Sequence, residues 1–198
     1  MNKVKFNVTR KDGKNYSGTG TLFTDALKKE LVDDYFIWKK INERQEVYGA
    51  RRLNFPESIS EGLACYSLNL LRANKTEIKG ANSSSCDAID PNTGLTYQFK
   101  ACSTVGLNPK GSPSSFGPRS ESDMLIYLHM DCEEDKMYFY EFNENINDIR
   151  LNATETFKDQ CDKGLRPRFN LLPIIKRDKI PYFGYFNYKT GEYVKCLD

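Results

Sequence analysis

Apolar positions along this chain recur at two periods, and the switches between them divide it into elements. Val4 to Leu22 alternates apolar and polar residues around turn residues at Asp12-Gly13 and Gly18-Thr19-Gly20, which predicts a short hairpin-like start. Thr24 is a capping residue, and after it Leu27, Leu31, Tyr35, Trp38 and Ile41 fall on one helical face. One long helix follows, stopped near Tyr48 by Gly49. Phe36 and Ile37 widen its apolar side, so a dimer face is a second use for it beside core packing. Pro56 opens a second helix running to about Arg72, apolar almost all round. On it Glu57 and Glu61 share a stripe with Ala64, Leu68 and Leu71. Glu57 reads as a first-turn acid; Glu61, a turn deeper, is either that or a carboxylate whose burial requires a partner, such as a metal.

The shorter period governs the middle of the chain. Cys86, Ala88 and Ile89 make an apolar strand, Pro91-Asn92-Thr93-Gly94 a turn, and Leu95 to Ala101 the returning strand. Strand side chains alternate, so Gln98 and Lys100 share a face, and pairing across the turn sets Asp87 opposite Gln98. One acid, one amide and one lysine converging on a point suit Mg²⁺ beside a phosphodiester. Asp87 is the ligand in that reading, and Lys100 sits by the attacking water or the scissile phosphate. A surface hairpin with a solvated Lys100 is the plain alternative. Glu77-Ile78-Lys79 is a second Glu-x-Lys triplet, but no acid-bearing strand and turn precede it.

Val105 to Ser122 is a long stretch rich in Gly, Ser and Pro, a length that is uncommon in a compact domain without a function. Its Ser114, Ser115 and Arg119 are donors suited to phosphate or base edges. Met124 to Met130 reads as a buried central strand and Lys136 to Phe142 as its neighbour; the single histidine, His129, reads as a core imidazole within it. A short helix capped by Thr154 or Thr156 ends at Gly164 and delivers Arg166 and Arg168 to the same side of an extended segment. Arginines so placed suit guanine edges, and Lys158 on the helix suits a phosphate, with plain surface charge as the alternative. Tyr182 to Leu197 reads as two aromatic strands about a Lys189-Thr190-Gly191-Glu192 turn.

At 198 residues the chain is long enough for one domain with a proper core. Its net charge of +2 announces no nucleic-acid binder, but residues 1–56 and 146–198 are each net basic around a net acidic middle that holds Asp87. Six scattered cysteines without a Cys-x-x-Cys pair read as free thiols and argue against zinc. No apolar run reaches membrane-spanning length and no apolar signal core opens the chain, so a cytoplasmic protein with no membrane partner is expected.

Phe55-Pro56-Glu57-x-x-Ser60-Glu61-Gly62, Ser84-Ser85-Cys86-Asp87-Ala88-Ile89-Asp90, Gln98-Phe99-Lys100-Ala101, Ser115-Phe116-Gly117-Pro118-Arg119, Thr156-Phe157-Lys158-Asp159-Gln160 and Gly164-x-Arg166-Pro167-Arg168 occur in that order. The set, over roughly residues 25–177, resembles a family of small type II restriction endonucleases whose namesake cuts the interrupted palindrome GCNGC. The resemblance implies an α/β restriction-endonuclease-like fold, a central mixed β-sheet flanked by helices carrying an Asp…(Asp/Glu)-x-Lys core. Gln98 stands where the second acid is commoner. Also implied are Mg²⁺ held by Asp87, the Phe99 carbonyl and Glu61 or Gln98, with Lys100 acting on water. The expected partners are double-stranded DNA, a second copy of the chain, and a cognate DNA methyltransferase as a genetic partner only. Residues 1–198 would be a single nuclease domain, with a hairpin-like extension over 1–23 and a β-hairpin extension over 178–198. A structure-selective repair or recombination nuclease is the alternative enzyme. A non-catalytic DNA-binding module, with Asp87 and Lys100 as an ion pair, is the alternative outside enzymes.

Overall fold

A computed structural model describes residues 2–10, 13–74, 86–104, 114–116, 122–142 and 148–196. The Glu77 and Lys79 triplet, Ser83 to Ser85, Asp12 and Arg119 lie outside the described residues.

Strands β1 (Lys3–Thr9) and β2 (Asn15–Leu22) form the opening hairpin. Gly18 and Gly20 lie inside β2 and not at a turn. Their neighbourhood explains the misreading: a Cβ on Gly20 would stand 2.7 Å from the Leu71 Cβ, so that glycine serves the close approach of the next strand. Helix α1 (Asp25–Val47) buries Tyr35, Trp38 and Asn42 and leaves Phe36 and Ile37 exposed. Helix α2 (Glu57–Leu68) ends earlier than its apolar pattern predicts. Asn69 adopts the left-handed conformation (φ 54°, ψ 40°), and the Leu70 N–H closes back on the Cys65 carbonyl at 2.9 Å. Leu71 and Arg72 therefore belong to a strand, β3 (Leu71–Ala73), and not to the helix.

The remaining elements are β4 (Ala88–Ile89), β5 (Thr96–Thr104), β6 (Ser114–Ser115), β7 (Met124–Asp131), β8 (Lys136–Phe142), α3 (Phe157–Asp162), β9 (Arg168–Phe169), α4 (Leu171–Asp178), β10 (Tyr182–Asn187) and β11 (Glu192–Lys195). Among the described residues, nine strands make one mixed sheet in the order β1-β2-β3-β4-β5-β7-β8-β10-β11. β5 and β7 run parallel, and the other neighbours are antiparallel. Both terminal hairpins join this sheet, through β2 to β3 and through β10 to β8.

Helices cover both faces of the sheet. Tyr35 and Trp38 from α1, Ile59 and Leu63 from α2, and Phe99, Ile126 and Leu128 from the centre form one core. On the opposite face Leu125 and Tyr127 pack with Phe116, Phe157 of α3, and Leu171, Leu172 and Ile175 of α4. β7 is buried on both sides, which is why its sequence reads as a continuous apolar run. A third cluster, with Phe6, Val8, Tyr16, Leu71, Cys86 and Ile89, seats the first hairpin against the strand that precedes the β4–β5 turn. The architecture is the expected one, a large mixed sheet flanked by helices.

Candidate active site

The β4–β5 turn is built by its own side chains. Asp90 accepts from the Asn92 N–H (2.8 Å) and the Thr93 hydroxyl (2.7 Å), and Gly94 takes φ +71°, so the chain reverses within four residues. The register that follows pairs Ala88 with Tyr97. Asp87 is then held from both sides: its N–H donates to the Tyr97 carbonyl (2.8 Å) and its carbonyl accepts from Ala73 (2.8 Å).

β4 is only two residues long, so past Tyr97 the edge of β5 on that side meets the Asp87 side chain in place of another strand. Asp87 Oδ2 accepts from the Phe99 N–H at 2.8 Å and from the Gln98 amide nitrogen. The same amide nitrogen donates to the Phe99 carbonyl at 3.3 Å. Two oxygens, one carboxylate and one main-chain carbonyl, thus converge on a single N–H₂ group. Asp87 and Gln98 are buried, at 4% and 7% exposure. In a site this dry, an acceptor pair needs a positive partner, which the amide dipole supplies.

Lys100, two residues on, is half-buried, with its Nζ 5.1 Å from the centre of the Phe116 ring. Glu61 projects from α2 to Arg72 of β3, whose Nε and Nη2 reach its Oε2 at 3.1 and 2.8 Å. Burial, and after it the charge of Asp87, push the Glu61 carboxyl above the usual carboxylate range against the pull of Arg72. Glu61 therefore lies within electrostatic reach of Asp87 while its hydrogen bonds go to Arg72. Glu57 is exposed at the helix start. Arg72 was hidden from the sequence because the apolar stripe carried it into the helix; its strand pairing with Ala88 is what brings it to the site.

The basic elements gather on a small two-stranded ribbon. Ser114 pairs with Phe169 and Ser115 with Arg168, so the Ser-rich stretch and the arginine segment, far apart in sequence, are neighbours. Arg166 and Arg168 are exposed on either side of the buried Pro167. Thr156 caps α3 through a capping box with Asp159, and Lys158 on that helix pairs with Asp162 at 2.5 Å. His129 sits in β7 against the Thr104 hydroxyl (2.7 Å), away from the Asp87 group, and burial holds its imidazole below its usual range.

Residues 23–177 match the model of the Bsp6I restriction endonucleases. The chain belongs to the Bsp6I restriction endonuclease family. The type II restriction enzyme Bsp6I of Bacillus sp. (strain RFL6) is 33% identical to it over 156 residues, which span 77% of this chain and 80% of that enzyme. No solved structure matches the chain significantly. The family match takes in Glu61, Asp87, Gln98, Phe99, Lys100 and the Ser115–Arg168 ribbon, and leaves out the first hairpin and the last one.

Among the described residues no three His, Cys, Asp or Glu side chains gather as a metal cluster. The donors that meet at the Gln98 amide are oxygens: the Asp87 carboxylate, the Phe99 carbonyl and, if the amide turns over, its own oxygen. Such a set suits Mg²⁺, which takes one or two protein carboxylates and completes its shell with water and phosphate. All six cysteines are thiols outside any disulfide, as the sequence suggests.

Proposed function

We propose that this member of the Bsp6I family is a Mg²⁺-dependent type II restriction endonuclease. It would cut double-stranded DNA at a short palindromic site, GCNGC being the expected one, as a homodimer in the cytoplasm beside a cognate methyltransferase. The observation that carries the reading is the convergence of Asp87 Oδ2 and the Phe99 carbonyl on the Gln98 amide, two residues before Lys100.

Asp87, the Phe99 carbonyl and the Gln98 amide oxygen would hold the cation, and Glu61 would join them if Arg72 released it. Bound there, Mg²⁺ supplies neutralisation of charge at the scissile phosphate and a lowered pKa for a bound water. Lys100 orients the attacking water, or takes its proton, beside the phosphate. The Phe99 N–H fixes the direction of the Asp87 carboxylate, so that its orientation is set before substrate arrives. Arg166 and Arg168 would read base edges, with Ser114, Ser115 and Arg119 as further donors and Lys158 on the backbone. Two-fold sites are read by two-fold proteins, which is the ground for the dimer. Among the described residues no helix is long and apolar enough to cross a membrane.

The test is a digest of plasmid DNA of known sequence with Mg²⁺ and with EDTA, the ends mapped on both strands. Discrete fragments in Mg²⁺ alone, with ends at one palindrome, support the proposal. Smearing, or cutting confined to branched substrates, replaces it with a repair or recombination nuclease. Tight binding with no cleavage replaces it with a DNA-binding module.

A further inference from the structure

Lys100 rests on the face of Phe116, 5.1 Å from ammonium to ring centre. Phe116 is 1% exposed although it comes from the Ser/Gly/Pro-rich stretch. It stacks on Phe169 (5.0 Å, 14°) and meets Phe157 edge-on (5.3 Å), within the core that also holds Leu125 and Tyr127. Tyr127 is the register partner of Lys100 across β5 and β7. The Phe116 main chain points elsewhere: its N–H donates at 3.1 Å to the carbonyl of Pro167, the residue between Arg166 and Arg168. One residue thus touches the lysine with its ring and the arginine segment with its backbone.

We propose that Phe116 is a positioning residue: its ring fixes the Lys100 ammonium, and its backbone ties that ring to the Arg166–Arg168 segment, so that docking of DNA on the ribbon governs cleavage. The inference rests on the reading of Lys100 as the lysine of the catalytic centre. An ammonium over an aromatic face is attracted by the ring's negative quadrupole, more strongly as water is excluded. A lysine side chain has many rotamers, and a rigid ring beneath it removes most of them. The ring has no freedom of its own, since a close-packed neighbourhood transmits displacement instead of absorbing it. A movement of Pro167 when its flanking arginines engage base edges therefore moves the surface on which Lys100 rests. A phenylalanine serving only as core filler would pass a change in ring electron density to Phe157 and Phe169, and so to stability, but not to the cleavage rate of the folded protein.

The experiment uses the full-length protein with phenylalanines carrying one, two and three ring fluorines at position 116, which keep the shape and progressively weaken the negative face. Single-turnover cleavage and equilibrium binding are measured on the cognate duplex and on a duplex with one altered base pair. Cognate cleavage should fall stepwise, by roughly five- to thirty-fold over the series. Cognate binding should stay within about twofold. The rate preference for the cognate duplex should shrink along the series. Phe116→Leu should fall at or below the low end, and if that variant does not fold the fluorinated set still decides. A flat series, or one in which rate and binding fall together, overturns the positioning role; a falling rate with unchanged preference overturns the tie to the arginines. Wild type inert in Mg²⁺, or Lys100→Ala cutting normally, removes the catalytic reading and this inference with it. A flat series beside an active wild type and a dead Lys100→Ala removes this inference alone.

Discussion

Gln98→Glu tests whether the oxygens around Asp87 form a cation site. In the folded protein the Gln98 amide donates to Asp87 Oδ2 and to the Phe99 carbonyl, and both side chains are almost wholly buried. The substitution keeps the shape, deletes both donated hydrogen bonds and sets a second carboxylate against the first. A lost hydrogen bond to a charged group costs about 1.5–3 kcal/mol. Two like charges about 4 Å apart repel by about 4 kcal/mol at an effective dielectric of about 20, an upper bound because one carboxyl can take up a proton. A net loss of about 3 kcal/mol in EDTA is expected, or about 6–12 °C in Tm for a domain of this size. A cation reverses the sign of the problem, since it is drawn by two carboxylates more than by one. At about a hundred times its Kd a ligand adds about 2.7 kcal/mol, so Mg²⁺ should return most of the lost Tm to Gln98→Glu while shifting wild type less. The assay is a thermal melt of both proteins in EDTA and across a Mg²⁺ titration. A variant as stable as wild type in EDTA, or one whose Mg²⁺ response is no larger, would refute the cation-site reasoning.

Asp87→Ala and Lys100→Ala should each abolish cleavage and leave specific binding largely intact, read by plasmid digestion and gel shift; cleavage by Lys100→Ala within a few fold of wild type contradicts the assignment. Arg166→Ala or Arg168→Ala should lose about 1–3 kcal/mol on the specific duplex and much less on random duplex, whereas a phosphate contact weakens both and lowers the salt slope by about one. Asp135 is buried and binds Lys39 and the Tyr35 hydroxyl, both at 2.5 Å, and Lys189 at 3.2 Å. Burial pushes its carboxyl up, but these partners hold it below the usual range. Asp135→Asn keeps the left-handed backbone (φ +57°) and should cost about 2 kcal/mol at neutral pH; wild-type and variant melts should converge as pH falls through the depressed value, because that is where the ionised form's contribution is lost. For Arg72→Ala the deficit runs the same way with pH although the wild-type shift is upward: Glu61, already raised, rises further, so the deficit should be small in acid and grow as pH climbs above the ordinary carboxylate range. A deficit independent of pH would mean that Arg72 acts by packing alone.

Local patterns carried the Asp87–Gln98 hairpin into view. Period two fixes which side chains share a face, and a four-residue turn fixes which residues meet, so the encounter of Asp87 with Gln98 followed from counting. The end of α2 did not follow, because Leu70 and Leu71 continue its apolar rhythm while the stop lies in the backbone conformation of Asn69. Arg72 was lost with it. The Ser115–Arg168 ribbon was invisible for another reason: two-residue strands leave no periodic trace, and their partners are more than fifty residues apart. Phe116 carried a usable signal nonetheless, as one large aromatic amid Ser, Gly and Pro, where burial as an anchor explains it better than exposure. Asp135 had none, since an acid in the Cys132–Asp135 turn looks solvated until α1 is laid against it.

The first hairpin lies wholly outside the family match, yet β2 is hydrogen-bonded to β3, and Arg10 reaches across to Asp123 (2.5 Å), which in turn holds the start of β5 through Thr96. The homologous stretch is thus not a unit that could be cut out and expressed. Trimmed at its boundary, the chain would present β3 as a bare strand and uncover Leu71, Cys86 and Ile89, an invitation to edge-to-edge aggregation. For anyone building chimaeras within the family, a junction at residue 23 would part β2 from β3, so the exchangeable cassette at this end runs through β3 and carries α1 and α2 with it.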